Sequence, residues 1–174
     1  YTTLFRSTED KRMKRWVLSS MISRTYYHNF VTHLLEAAFQ REVYKIVDDG
    51  GSIHAALLNK LKREVLEEFW GDAVVINEGA ELTWMRQPHY YMGLYPYTYS
   101  AGLTIATEVN SRILKEGQKA IDDWLAVLKS GGLYTPVEFA SRAGVDITTE
   151  KPLLNTIDHI GNIINEIIEL TEEI

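Results

Sequence analysis

Between Arg86 and Gly102 the chain reads RQPHYYMGLYPYTYSAG, which places His89 and five tyrosines (Tyr90, Tyr91, Tyr95, Tyr97 and Tyr99) within eleven positions. Pro88, Gly93 and Pro96 interrupt the stretch, so no single helix or strand can run through it. A segment built only to pack would use Leu, Val and Ile. A phenol hydroxyl needs a hydrogen-bond partner when buried, so such a cluster belongs where one side is wet or holds a ligand. Two readings follow. One is an amphipathic aromatic wall at a helix start; the other is a loop and helix entrance whose His and Tyr donors converge on an anionic or polarised group.

The rest of the chain has helical spacing. Ser7-Thr8-Glu9-Asp10 reads as a helix start, with Ser7 and Asp10 spaced as in a capping box, and Met13, Trp16, Val17 and Met21 follow. A second periodic set, Val31, Leu34, Leu35, Ala38, Phe39, Glu42 and Ile46, stops at Gly50-Gly51. Glu42 lies on that stripe, either reaching solvent or held in an internal ion pair. Ser52 is placed to cap a helix carrying Leu57, Leu58, Leu61, Val65 and Phe69, whose other face (Lys60, Lys62, Arg63, Glu67, Glu68) reads as solvated. Ala73-Val74-Val75-Ile76 has no strand to pair with and is expected as extended chain in the interior, followed by a short helix from Glu78 to Met85. From Tyr97 the spacing Leu103, Ala106, Asn110, Ile113, Leu114 gives a helix ended by Gly117. The next carries Ile121, Trp124, Leu125 and Leu128 and closes at Gly131-Gly132. Thr135-Pro136-Val137-Glu138 combines a cap residue, a first-turn proline and a Glu three residues after the cap. The last helix, from about Pro152, has a seam of Leu153, Ile157, Ile160, Ile164, Ile167 and Thr171 in four-and-three steps; it either docks into its own domain or pairs with a second chain. With no linker, repeat or low-complexity segment, residues 1–174 read as one all-α, bundle-like unit.

Composition removes several function classes. A net charge of −6 argues against nucleic acid, and no apolar run approaches the roughly 20 residues of a membrane span. The absence of cysteine excludes a disulfide framework and thiolate metal sites, and fits a cytoplasmic setting. His28 and His33 lie five apart, a poor spacing for one face of an α-helix, and neither sits in a ligand pattern. His54 and His159 read as structural or solvent-exposed. Among the histidines, His89 is the one whose neighbours suggest chemistry.

At this point the sequence resembles the C-terminal part of oligoendopeptidase F-type zinc metallopeptidases, within the thimet-oligopeptidase-like group. The resemblance rests on Pro88-His89-Tyr90-Tyr91, Met92-Gly93, Tyr95-Pro96-Tyr97-Thr98-Tyr99 and Ser100-Ala101-Gly102. It rests also on WGDAVVINEGAELTW from Trp70 to Trp84 and LKSGGLYTPVEFASRAGVD from Leu128 to Asp146, with a weaker echo at Phe39 to Tyr44. The resemblance implies the helical C-terminal portion of a zincin-type catalytic domain, acting on short peptides. It assigns His89 and Tyr97 to holding the substrate backbone and the developing oxyanion, with Tyr91, Tyr95, Tyr90 and Arg86 lining the substrate side. The family holds zinc with His-Glu-x-x-His and a downstream Glu, and none of His28, His33, His54, His89 or His159 is followed by Glu. The metal helix is therefore expected before Tyr1. Zinc is expected in the complete enzyme and not in this chain alone, which would be inactive by itself and would have the N-terminal half as its partner. An oligomer through an exposed apolar face is a further expectation. The alternative is a non-catalytic helical module that uses the tyrosine wall and the terminal seam to bind a protein.

Overall fold

The computed structural model describes residues 9–174, all helix, turn and irregular chain, with no strand among them. Ser7, half of the expected capping box, lies outside the described residues. Asp10 itself caps α1 (Lys11–Ser20), its carboxylate accepting from the backbone N–H groups of Arg12 and Met13 at 2.9 and 3.2 Å. Helix α1 runs without a break into a π-helical segment, Met21–Thr32, and on into α2, His33–Asp48. Helix α2 ends where Gly51 sits so close to Ile46 that a Cβ would meet the Ile46 carbonyl oxygen at 2.9 Å. Helix α3 (Ala55–Trp70) is capped by the His54 ring, whose Nδ1 accepts from the Leu57 N–H at 3.3 Å, rather than by Ser52. His54 has the extended backbone (φ −146°, ψ 160°) that a cap requires. Two short 3₁₀ turns follow, Ala80–Met85 and Pro88–Tyr91. Then come α4 (Tyr97–Glu116), α5 (Gln118–Lys129), α6 (Pro136–Arg142) and α7 (Lys151–Glu172).

These elements form two compact units. In the unit His28–Ser100, α2 and α3 pack around Leu35, Phe39 and Val65, with Leu58, Leu61, Trp84 and Tyr90 against them. The 3₁₀ turns are tied to α3 by Trp84 Nε1 donating to Asn59 Oδ1 (2.8 Å) and by an Arg63–Glu81 ion pair (2.8 Å). Glu42 pairs with its neighbour Arg41 and reaches solvent. The run Ala73–Ile76 is not interior, and it begins in a bend rather than as extended chain: Val75 is 88% exposed and Val74 is exposed as well. Four residues without a pairing strand would bury unpaired backbone groups, and the surface spares them that cost.

The other unit comprises residues 9–27 and Ala101–Ile174. Its core joins Ile105 and Val109 of α4, Val127 of α5 and Ala140, Ala143 and Val145 at α6. Gly144, at φ +78°, lets the Arg112 guanidinium reach the Ala143 carbonyl (2.5 Å) while also binding Glu116 and Asp123. Helices α1 and α7 run antiparallel, joined by Lys14–Glu166 (2.6 Å), Lys11–Glu173 (3.1 Å) and Arg15 donating to Thr171 (2.7 Å). The buried face of α7 is Pro152, Thr156, Ile163 and Leu170, not the expected seam, from which Leu153, Ile157 and Ile164 are exposed. The reason is local: the Thr156 hydroxyl donates to the Pro152 carbonyl (2.9 Å), so a residue that counts as polar in the pattern is buried with its donor satisfied.

The capping box at α6 is present in full, with Thr135 accepting from the Glu138 N–H and the Glu138 carboxylate accepting from the Thr135 N–H. Thr135→Ala should lower the unfolding free energy of the purified chain by about 1 kcal/mol in urea melts. A variant as stable as the parent would show that the core alone holds α6.

Candidate functional site

Within the unit His28–Ser100, the aromatic stretch closes on α2 and the π-helical segment. The backbone of the stretch is held from below by Gln40, which is 2% exposed and whose amide donates to the carbonyls of Gly93 and Tyr90 (3.3 Å). Ser100, in the first turn of α4, donates to the Phe30 carbonyl at 2.9 Å, so the small residue there does permit a close backbone approach.

Three histidine rings line up. His28 and His33 have centroids 5.4 Å apart, and His33 and His89 5.3 Å apart. The expectation that a five-residue spacing keeps His28 and His33 on different faces is corrected here, because a π-helix closes its turns at i to i+5. His33 is buried (2% exposed) and its Nδ1 lies 2.6 Å from Oε2 of Glu36, itself 4% exposed. The Tyr99 ring lies flat on His33, with centroids 4.0 Å apart and planes 22° apart. From there a chain of hydrogen bonds runs outward. The Gln87 amide nitrogen lies 3.3 Å from His89 Nδ1, and because an amide N–H only donates, Nδ1 accepts and the ring proton sits on Nε2. Nε2 in turn faces the Tyr99 hydroxyl at 3.2 Å, and Tyr99 donates to the Tyr95 hydroxyl at 3.3 Å. The bond to Tyr95, then burial, holds the Tyr99 proton more firmly than in a free phenol. Tyr95, stacked on His89 (5.3 Å, 20°) and partly exposed, ends the chain with its own proton free to donate outward.

The remaining predicted residues lie at different depths. Tyr90 faces inward: it packs edge-on against Phe39 and its hydroxyl accepts from Lys62 Nζ at 2.8 Å. Burial, then the charge of Glu36, pushes its hydroxyl well above the usual phenol range. Tyr91 is exposed and donates to the Trp84 carbonyl (3.2 Å). Arg86 is exposed at the end of the first 3₁₀ turn. Tyr97 opens α4, is 47% exposed, and its hydroxyl makes no hydrogen bond among the described residues. The structure thus brings His89 together with Tyr95, and leaves Tyr97 open.

Sequence reasoning missed Tyr99, His33, Glu36 and Lys62 as members of this cluster. Lys62, read as part of a solvated face, is 4% exposed and lies over the Phe39 and Tyr90 rings at 5.7 and 5.4 Å. The signal was its register, four residues after Leu58 and four before Leu66, on the apolar stripe. Burial lowers its pKa to about 8, against a smaller opposing pull from Glu36.

The sequence profile of Peptidase family M3 matches residues 2–159. The chain belongs to this family. Similar proteins are the Oligopeptidase PepF of Bacillus subtilis (strain 168), 29% identical over 150 residues, and an Oligoendopeptidase F homolog of Borreliella burgdorferi, 24% identical over 148. These matches cover 86% and 85% of this chain but 22% and 24% of those proteins, so the chain spans less than a quarter of their length. The crystal structure of oligoendopeptidase-F from Enterococcus faecium superposes with a TM-score of 0.87 at 25% identity, over 97% of this chain and 32% of that one. The all-α fold and the oligoendopeptidase F likeness expected from the sequence are thereby established. M3 peptidases are generally zinc-dependent. Among the described residues no three His, Asp or Glu side chains converge as a metal ion would require. Nor is any helix among them long and apolar enough to cross a membrane.

The buried ammonium of Lys62 gives a pH test. Folded Lys62 releases its proton near pH 8, against 10.5 when unfolded. Between those values the unfolded chain holds more protons, so stability rises with pH; below 8 the full cost of burying the charge stands. Unfolding free energy of the parent relative to Lys62→Met should therefore climb by up to about 3 kcal/mol from pH 8 to 10.5. Parallel pH curves for the two proteins would place the ammonium in water.

Proposed function

We propose that this chain is the substrate-gripping portion of a zinc-dependent oligoendopeptidase that hydrolyses short peptides. In that reading His89 and Tyr97 are its transition-state donors, and the metal-binding half lies elsewhere in the complete enzyme. Membership of Peptidase family M3 supports the reaction class. The observation that supports this assignment is the outward-directed hydrogen-bond chain at His89, on the same aromatic stretch as the exposed Tyr97.

The chemistry asked of these groups is modest and specific. When a peptide carbonyl becomes tetrahedral its oxygen gains charge, and neutral donors aimed at that oxygen lower the barrier without a charge to desolvate. Phenol hydroxyls meet this need. Tyr97 donates from the first turn of α4, where the helix dipole is positive and favours a developing anion. Tyr95 donates at the end of a chain already ordered by His89 and Tyr99, so little reorganisation remains at the moment of reaction. In this reading the exposed Tyr91 and Arg86 line the substrate side, and Tyr90 shapes the wall from beneath. Exposed Met85, Met92 and Leu94, close to His89 in the sequence, suit a wall that a peptide or the remainder of the enzyme covers. A cytoplasmic setting agrees with the cysteine-free sequence.

The exposed apolar face of α7 (Leu153, Leu154, Ile157, Ile164 and Ile168) favours a protein neighbour there. In the proposed reading that neighbour is the rest of the peptidase. In the alternative, a non-catalytic interaction module, it is a separate protein.

In the complete peptidase, Tyr97→Phe should lower kcat by about 10²–10³-fold with KM nearly unchanged, since a hydroxyl that donates only to the oxyanion is not missed in the ground state. His89→Ala should harm both parameters if it also holds the substrate backbone. Steady-state kinetics on a fluorogenic oligopeptide reads both. Full activity in both variants would reduce the wall to packing and favour the interaction module.

A further inference from the structure

The wall's chemistry is tied to a part of α2 that touches no solvent and, in the reading above, no substrate. His33 and Glu36 are both almost fully buried, one turn apart, and joined at 2.6 Å. A buried carboxylate is costly unless its lone pairs are met, and here it is met by an imidazole N–H, with the buried Lys62 ammonium as an opposite charge that it attracts. That bond does more than satisfy Glu36. Packing confines the buried imidazole but leaves it able to flip or tilt about its Cβ–Cγ bond, and the bond at Nδ1 selects one orientation. The plane of His33 is therefore set, and Tyr99 lies on that plane at 4.0 Å and 22°. The position of the Tyr99 ring in turn decides whether its hydroxyl stands 3.2 Å from His89 Nε2, and so whether Nε2–H has an acceptor.

We infer that Glu36 and His33 are positioning residues: through the stacked Tyr99 ring they fix His89 in its Nε2–H tautomer and hold its hydrogen-bond chain directed toward Tyr95. The inference concerns this chain's own geometry; its bearing on catalysis rests on the reading of His89 as a substrate-contacting residue. Without the anchor, His33 rotates, the platform under Tyr99 is lost, and the tautomer of His89 is left to Gln87 alone. Gln87 is a weak selector because its amide offers a donor from one end and an acceptor from the other. Glu36 and His33 act in series on one outcome, so removing either should have the effect of removing both.

The test is the tautomer of His89, read from the two ring-nitrogen shifts in long-range ¹H–¹⁵N spectra of the chain carrying ¹⁵N-histidine. The parent should show one form, Nε2–H. Glu36→Gln, which keeps the shape and removes the charge, should cut that preference by about tenfold, the worth of one charge-assisted hydrogen bond. His33→Phe, which keeps a ring under Tyr99 but drops the nitrogen anchor, should do the same, and the double variant should add nothing further. Glu36→Asp should recover part of the preference. A role confined to packing would lower the melting temperature and leave the tautomer alone. A mixed tautomer in the parent, an unchanged one in a folded Glu36→Gln, or loss of folding in both Glu36→Gln and His33→Phe would overturn the inference. Turnover separates it from the reading beneath it. In the complete peptidase Glu36→Gln should lower kcat by about tenfold at constant KM. If His89→Ala is silent the catalytic reading fails, while the tautomer result still decides the positioning.

Discussion

A carboxyl group shut away from water is costly unless donors answer it, and Glu36 is 4% exposed in the first turn of α2. Its answer is the imidazole of His33 one turn earlier, and much of the unit His28–Ser100 is arranged as a consequence. The imidazole carries Tyr99; Tyr99 meets His89; and Lys62, drawn under the wall by Tyr90 and opposing Glu36 in charge, keeps the interior near neutrality. Gln40, the next polar residue on the same face of α2, holds the backbone of the aromatic stretch by its carbonyls. An apolar helix could fill the same space, but it would leave the wall's rings free to choose among rotamers.

This explains which parts of the molecule were legible in the sequence. Helix ends follow local chemistry, and the Thr135–Glu138 box and the positive-φ glycines at 117, 131 and 144 stand where the sequence places them. Periodicity of apolar residues finds a helix but misjudges its buried face when polar residues are inside. On α2 the buried positions include His33, Glu36 and Gln40; on α3 they include Lys62; on α7, Thr156 replaces the expected seam. In each case a partner distant in sequence, or a turn of the same helix, satisfies the polar group, and no count of apolar residues registers it. The expectation that His28 and His33 stay apart failed for a different reason, since the relevant turn is π rather than α and the period itself changes.

The candidate site was legible as a segment and not as a constellation. That the stretch from Arg86 to Gly102 gathers imidazole and phenol groups followed from its residue types. Which hydroxyl meets His89 depends on the break at Gly93 and on where α4 begins, and those place Tyr95 and Tyr99 against the ring while Tyr97 stays open. Family membership then supplies a reaction for which neutral, preordered donors are the appropriate tools.

The central claim is that this wall faces the reacting carbonyl of a bound peptide, and a crystal structure of the complete peptidase with a phosphinic peptide addresses it most directly. The expected result is a phosphinyl oxygen about 2.7–3.1 Å from the Tyr97 or Tyr95 hydroxyl, with His89 Nε2 still bonded to Tyr99 or turned to the ligand backbone. A ligand bound away from residues 86–102, with the tyrosines covered by another part of the protein, would contradict it.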